Sequence, residues 1–107
     1  MVFIESPTFS RRLHSLAGEY ADEVLRAMQA DLLYSPLRGK LVPGLGIRKG
    51  RCANPARGKG KRGGCRYLYL YLARRDHIHL LYLLDKDEQE DLSAAQRVLL
   101  RRLAEDV

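Results

Sequence analysis

Residues 56–75 read ARGKGKRGGCRYLYLYLARR, a glycine-loosened run of cations set directly against a stretch in which tyrosine and leucine alternate. Side chains two apart on a strand share a face, so Tyr67, Tyr69 and Tyr71 fall on one side and Leu68, Leu70 and Leu72 on the other. The period of two predicts a strand over 65–73, and HIHLLYLL at 77–84 predicts a second strand that closes a hairpin with it. Upstream, KLVPGLG at 40–46 is punctuated by Pro43, Gly44 and Gly46 and reads as a turn or short hairpin leading into IRKGRCA at 47–53, a further strand.

The elements flanking this sheet follow from their own signals. VFIE at 2–5 predicts a short strand, and Ser6 followed by Pro7 supplies a helix cap and a proline at the first helical position. Phe9, Leu13 and Leu16 recur at helical spacing, Gly18 offers a break, and Tyr20, Val24, Met28 and Leu32 form the apolar stripe of a second helix that ends at Ser35-Pro36. That stripe reads as core packing against a sheet. After the acidic patch 85–91, Ser93 and Gln96 make a capping box before a last helix with Val98, Leu99, Leu100 and Leu103 on its apolar side. The order is strand, two helices, three or four antiparallel strands and a helix, an α+β domain spanning 1–107.

The formal net charge of +6 conceals an asymmetry: residues 38–75 hold 12 Lys and Arg and no Asp or Glu, leaving 7 basic against 13 acidic residues elsewhere. A positive field concentrated on a third of the chain fits a surface that meets a polyanion. On the strand, Lys49 and Arg51 project together while Gly50 and Cys52 point the other way, and Arg66 begins the neighbouring strand. The loop 53–64 adds Arg57, Lys59, Lys61 and Arg62 among glycines that permit close backbone approach to a ligand. Like charges at this density repel, and phosphates relieve the repulsion while releasing counterions. Tyrosines that can stack on bases suit single-stranded RNA better than duplex readout, and Arg48 and Tyr69 join the candidate RNA contacts, although one face of this strand packs on helices and takes some of Tyr67, Tyr69 and Tyr71 into the core. By strict alternation Arg66 lies on the leucine face, which also resembles core. A sheet covered in part on both faces reconciles the two.

Other chemistries are weaker. The glycines of 39–50 lack the Ser or Thr and the following helix of a phosphate loop. Cys52 and Cys65, the two cysteines of the chain, are too few for a disulfide scaffold and lack zinc-site spacing; packing in a reducing compartment suits them. His77 and His79 share a strand face but have no third ligand or partner base, and His14 falls in a helix far from the basic run. No metal or other cofactor is expected. No apolar run reaches the roughly 18–20 residues of a membrane span, and the start MVFIESP lacks the features of a secretory signal, so a cytoplasmic location is expected.

VFIESPTF at 2–9, GIRKGRC at 46–52, GKGKRGGCRYLY at 58–69 and LLYLLDKDEQEDLS at 80–93, in this order, resemble the HigB branch of the RelE/ParE-like toxins of type II toxin–antitoxin systems. The resemblance implies a RelE-like fold, an antiparallel sheet packed on two N-terminal helices with the C-terminal helix beside the active groove. It also implies ribosome-dependent cleavage of mRNA by metal-independent attack of a 2′-hydroxyl on the adjacent phosphate. Carried over by position, Lys49 and Arg51 match paired basic residues of a core strand, Arg66 a phosphate-contacting arginine, and Lys86 a lysine just after the last strand. Crowding by other cations disfavours the ammonium form of a lysine, which makes Lys49, ahead of Lys59 and Lys61, the candidate general base. The chain departs from the pattern at Asp87, where an arginine is expected, and at Ser93, where a tyrosine is. The implied partners are a HigA-like, helix-turn-helix antitoxin, the ribosome and its message, with operator DNA reached through the antitoxin complex and no membrane. Alternative readings are a non-catalytic RNA- or ribosome-binding module and a gyrase-directed toxin on the same fold.

Overall fold

The structure, a computed structural model, describes residues 1–57, 64–85, 88 and 92–107. Strand β1 (Val2–Glu5) leads into α1 (Pro7–Ala17), a 3₁₀ turn (Gly18–Tyr20) and α2 (Ala21–Tyr34). Strands β2 (Lys40–Leu41), β3 (Arg48–Cys52), β4 (Cys65–Leu72) and β5 (His77–Asp85) follow, and α3 (Ala94–Glu105) ends the chain. The five strands form one sheet in the order β1-β5-β4-β3-β2.

The predicted element order holds, with one correction. The sheet is mixed: β2, β3, β4 and β5 are successively antiparallel, but β1 runs parallel to β5, with Val2 beside His77 and Glu5 beside Leu80. A strand separated from the sheet by helices is not bound by hairpin geometry and can enter alongside the far edge in either direction.

Local chemistry sets each boundary. The Ser6 Oγ accepts from the Phe9 backbone N–H at 3.0 Å, capping α1, and donates to the Leu81 carbonyl at 2.7 Å, which ties the helix start to β5. Gly18, at φ 54°, ends α1 in a conformation that other residues rarely adopt. Ser93 and Gln96 form the expected reciprocal capping box of α3.

The sheet is covered on both faces. On one, Phe9, Leu13, Val24, Met28 and Leu32 of α1 and α2 pack against Cys52, Tyr67, Tyr69, Ile78, Leu80 and Leu83. On the other, Leu100 of α3 packs with Ile47, Leu68, Leu81, Tyr82 and Leu84. An irregularity in the β4–β5 register at Leu68/Tyr69 lets Leu81 and Tyr82 both join this second cluster. Among the described residues no helix is long and apolar enough to cross a membrane.

Candidate RNA-binding face

The alternation of β3 decides which cations meet. Gly50 and Cys52 face α1 and α2, so Lys49 and Arg51 project to the α3 side, about 6.7 Å apart along the strand. The register places Lys40 of β2 beside Lys49, and Arg66 of β4 directly opposite Arg51. Lys40, Lys49, Arg51 and Arg66 therefore form a cationic band across three adjacent strands, next to the apolar patch under α3. Lys49 and Arg66 are half-buried, and Arg51 is exposed.

Gly50 is what lets this band lie flat. It stands opposite Tyr67, and a Cβ placed on it would fall 2.4 Å from Cζ of that ring. The ring occupies the space a side chain would need, so β3 packs closely on β4 while presenting Lys49 and Arg51 on the far side.

A cleft of about 430 Å³ opens beside Lys49. Its cations are Lys40, Lys49 and Arg97, and its apolar wall is made by Leu41, Val42, Pro43 and Leu92. Arg97 of α3 donates to the Pro43 carbonyl at 2.7 Å, which pins the helix to the turn between β2 and β3. The sequence reading missed Lys40 and Arg97. No short motif marks them; the register and the docking of α3 bring them together.

One predicted contact is corrected, and another lies off the cationic band. Tyr69 is fully buried on the α2 side, where its hydroxyl donates to the Pro36 carbonyl at 2.8 Å and accepts from the Gly39 N–H at 2.9 Å. No face of it remains for a base to stack on, and burial pushes its phenol pKa up, against smaller opposing effects from Gly39, Arg48 and Arg38. Arg48 lies on the opposite face of β3 from Lys49, and its guanidinium donates to the carbonyls of Gly39 at 2.9 Å and Leu37 at 3.3 Å. Tyr67 is also core: its pKa is raised, chiefly by burial.

The backbone of Arg57 lies in a 3₁₀ turn, Pro55–Arg57. That turn is tied down by Asn54, a buried polar residue that donates to the Leu16 carbonyl at 2.9 Å and accepts from Ala56 N–H at 3.2 Å. Lys59, Lys61, Arg62 and Lys86 lie outside the described residues. Cys52 and Cys65 face one another in the register and are buried. Its neighbour's thiol and then burial push the Cys52 thiol pKa far up, so it is no nucleophile at neutral pH. His14 is exposed on α1. His77 and His79 stand on β5, their ring centroids 6.2 Å apart, paired with β1 at the edge far from Lys49.

No known family model matches the sequence. Among solved structures, a doubly substituted RelE toxin of E. coli in the free state aligns over 91% of this chain and 93% of its own, with TM-score 0.60 and 13% identity. The toxin–antitoxin complex RelBE2 from Mycobacterium tuberculosis contains a chain that is 25% identical, covering 78% of this chain and 95% of that one at TM-score 0.59. A chain of the intact E. coli RelBE toxin–antitoxin complex aligns over 82% and 98%, at TM-score 0.57 and 16% identity. Each match extends over nearly the whole of the solved chain: this chain has the RelE-like fold, here with two N-terminal helices on one face of the sheet and a C-terminal helix on the other.

Proposed function

We propose that the protein is the toxin of a type II toxin–antitoxin pair, of the HigB branch, and that it cleaves mRNA on the ribosome. The observation that carries this reading is the gathering of Lys40, Lys49, Arg51 and Arg66 on the α3 side of the sheet, while Arg48 and Tyr69, equally close in sequence, turn away. Four basic side chains aligned by backbone register, with Arg51 and Arg66 carrying fixed charge, are a preorganised site for a phosphodiester.

The chemistry such a field supports is transesterification. The RNA 2′-oxygen attacks the adjacent phosphorus, the 5′-oxygen leaves, and the products carry a 2′,3′-cyclic phosphate and a 5′-hydroxyl. Charge accumulates on the non-bridging oxygens in the transition state, and fixed guanidinium and ammonium groups stabilise that charge more than they stabilise the ground state. Arg66 and Arg51 hold the phosphate. Lys49, in its neutral amine form, accepts the 2′-hydroxyl proton and becomes the ammonium only as that proton is taken up, and Lys86 donates a proton to the leaving 5′-oxygen. Lys59, Lys61, Arg62 and Arg57 draw the strand in electrostatically, with affinity that falls steeply as salt rises. The cleft flanked by Lys40 and Arg97 takes the neighbouring nucleotide, its apolar wall lying against the base.

The partner is an antitoxin, as in the RelBE complexes with which the chain shares its fold; a HigA-like helix-turn-helix protein would also carry the pair to operator DNA. An inhibitor covering this face complements it with acidic side chains. The toxin acts in the cytoplasm, where translating ribosomes are.

The test is incubation of the purified protein with mRNA-programmed ribosomes in the presence of chelator, with end-mapping of the products. Cyclic phosphate and 5′-hydroxyl ends are expected. Intact message on ribosomes that nevertheless bind the protein would replace the enzyme reading with that of a binding module, and a DNA-damage response without message cleavage would favour a gyrase-directed toxin.

A further inference from the structure

Arg66 and Arg51 face each other directly across β3 and β4. Opposed cations at cross-strand distance repel, and a long side chain in that position swings away unless something holds it. Glu88, three residues past the end of β5, supplies one such hold: Arg66 Nη2 donates to the Glu88 carbonyl at 3.0 Å.

Glu88 is itself fixed from two directions. Its carboxylate accepts from the Asp85 N–H at 2.9 Å, and its own N–H donates to the Asp85 carbonyl at 3.1 Å, which ties Glu88 to the last residue of β5. The same carboxylate oxygen pairs with Nη2 of Arg12. Arg12 comes from α1, across the sheet from the cationic band. It reaches round the edge of β5 just beyond the last residue paired with β1, where its Nε donates to the Leu83 carbonyl and its guanidinium carbon lies 4.8 Å from the centre of the Tyr82 ring. The two partners are 28% and 29% exposed, so the pair is sheltered enough to hold one geometry.

We infer that Arg12 is a positioning residue for Arg66: it clamps Glu88, and the Glu88 carbonyl holds the Arg66 guanidinium in place against repulsion from Arg51. The inference rests on the reading of Arg66 as the phosphate-holding arginine. It extends the working site to a helix on the opposite side of the sheet, through three residues that no motif connects.

A double-mutant cycle tests it on the ribosomal cleavage assay. Arg12→Ala and Glu88→Ala are each expected to lower kcat about 10- to 100-fold, the scale of a misaimed catalytic group, with KM for programmed ribosomes changed less than about threefold. In an Arg66→Ala background, adding Arg12→Ala should change the rate less than about twofold, because the residue it acts through is gone. Equal losses in both backgrounds would overturn the inference and leave Arg12 a contributor to the fold. A second readout needs neither RNA nor cleavage: the NMR correlation of the Arg66 Nη2–H group that donates to the Glu88 carbonyl. It should be resolved and protected in the wild type and exchange-averaged in Arg12→Ala or, should that variant not fold, in Glu88→Gln. An unchanged signal would overturn the clamp, whereas a wild type with a protected signal and no cleavage would refute the ribonuclease reading alone.

Discussion

Gly50→Ala probes the link between core packing and the cationic band. The added Cβ would meet Tyr67 at 2.4 Å from Cζ, 2.6 Å from the hydroxyl oxygen and 2.8 Å from Cε2. Ordinary contact requires about 1 Å more. Tyr67 is fully buried beside Met28 and Leu32 in the helix-side cluster, so its ring has nowhere to swing and β3 must move instead. Overpacking of this kind costs about 1–3 kcal/mol, and losing a strand glycine returns about 0.5–1 kcal/mol. The 2.4 Å approach puts this clash at about 2–3 kcal/mol, so a net loss of about 1–2.5 kcal/mol lowers Tm by roughly 4–20 °C for a domain of this size. Because Lys49 and Arg51 flank Gly50, displacement of about 1 Å should also reduce cleavage, by about 100-fold. Calorimetry and the ribosomal assay read the two effects, and adding Tyr67→Leu should recover part of both. A Gly50→Ala protein that melts within 2 °C (roughly 0.5 kcal/mol) of the wild type would refute the packing argument.

The buried Tyr67 hydroxyl has no hydrogen-bond partner among the described residues, so Tyr67→Phe should be neutral or stabilising by about 1 kcal/mol in denaturant unfolding. Tyr69→Phe removes two hydrogen bonds and should cost about 1–3 kcal/mol, while RNA affinity of the folded fraction stays unchanged. Desolvation, followed by His77 and Arg75, lowers the pKa of His79 below its ordinary 6.5. The unfolded chain then binds the proton more readily than the folded one, so stability should fall as pH drops from 6.5 toward the lower folded value. His79→Asn should flatten that slope in melts taken from pH 7.5 to pH 5.

The fold was legible where a local signal governs it. Period-two alternation marked β4 and β5, Ser6-Pro7 and Ser93-Gln96 marked two helix starts, and Gly18 marked the break between α1 and α2. The parallel entry of β1 was not legible, because pairing across more than 70 residues leaves no local trace. The site divided along the same line. Alternation on β3 put Lys49 and Arg51 together, and a sheet covered on both faces accommodates Arg66 beside Leu68. It could not say which face of β4 carries the larger core, and so Tyr69, whose ring fills the space beneath α2, was read as a base-stacking surface. Arg48 was grouped with the RNA contacts by density of charge, which says nothing about direction. Lys40, Arg97, Arg12 and Glu88 come from four separate parts of the chain and are brought together by tertiary contacts.

In the proposed reaction one face of the sheet, and not the basic segment as a whole, performs the chemistry. Neighbours on β3 separate these directly: Lys49 points to the α3 side, and Arg48 points to α2. Single-turnover cleavage on programmed ribosomes, at matched salt and with folding checked by thermal melts, should fall at least about 100-fold for Lys49→Ala and stay within about threefold of wild type for Arg48→Ala. Equal losses in the two variants, or full activity in Lys49→Ala, would contradict the account.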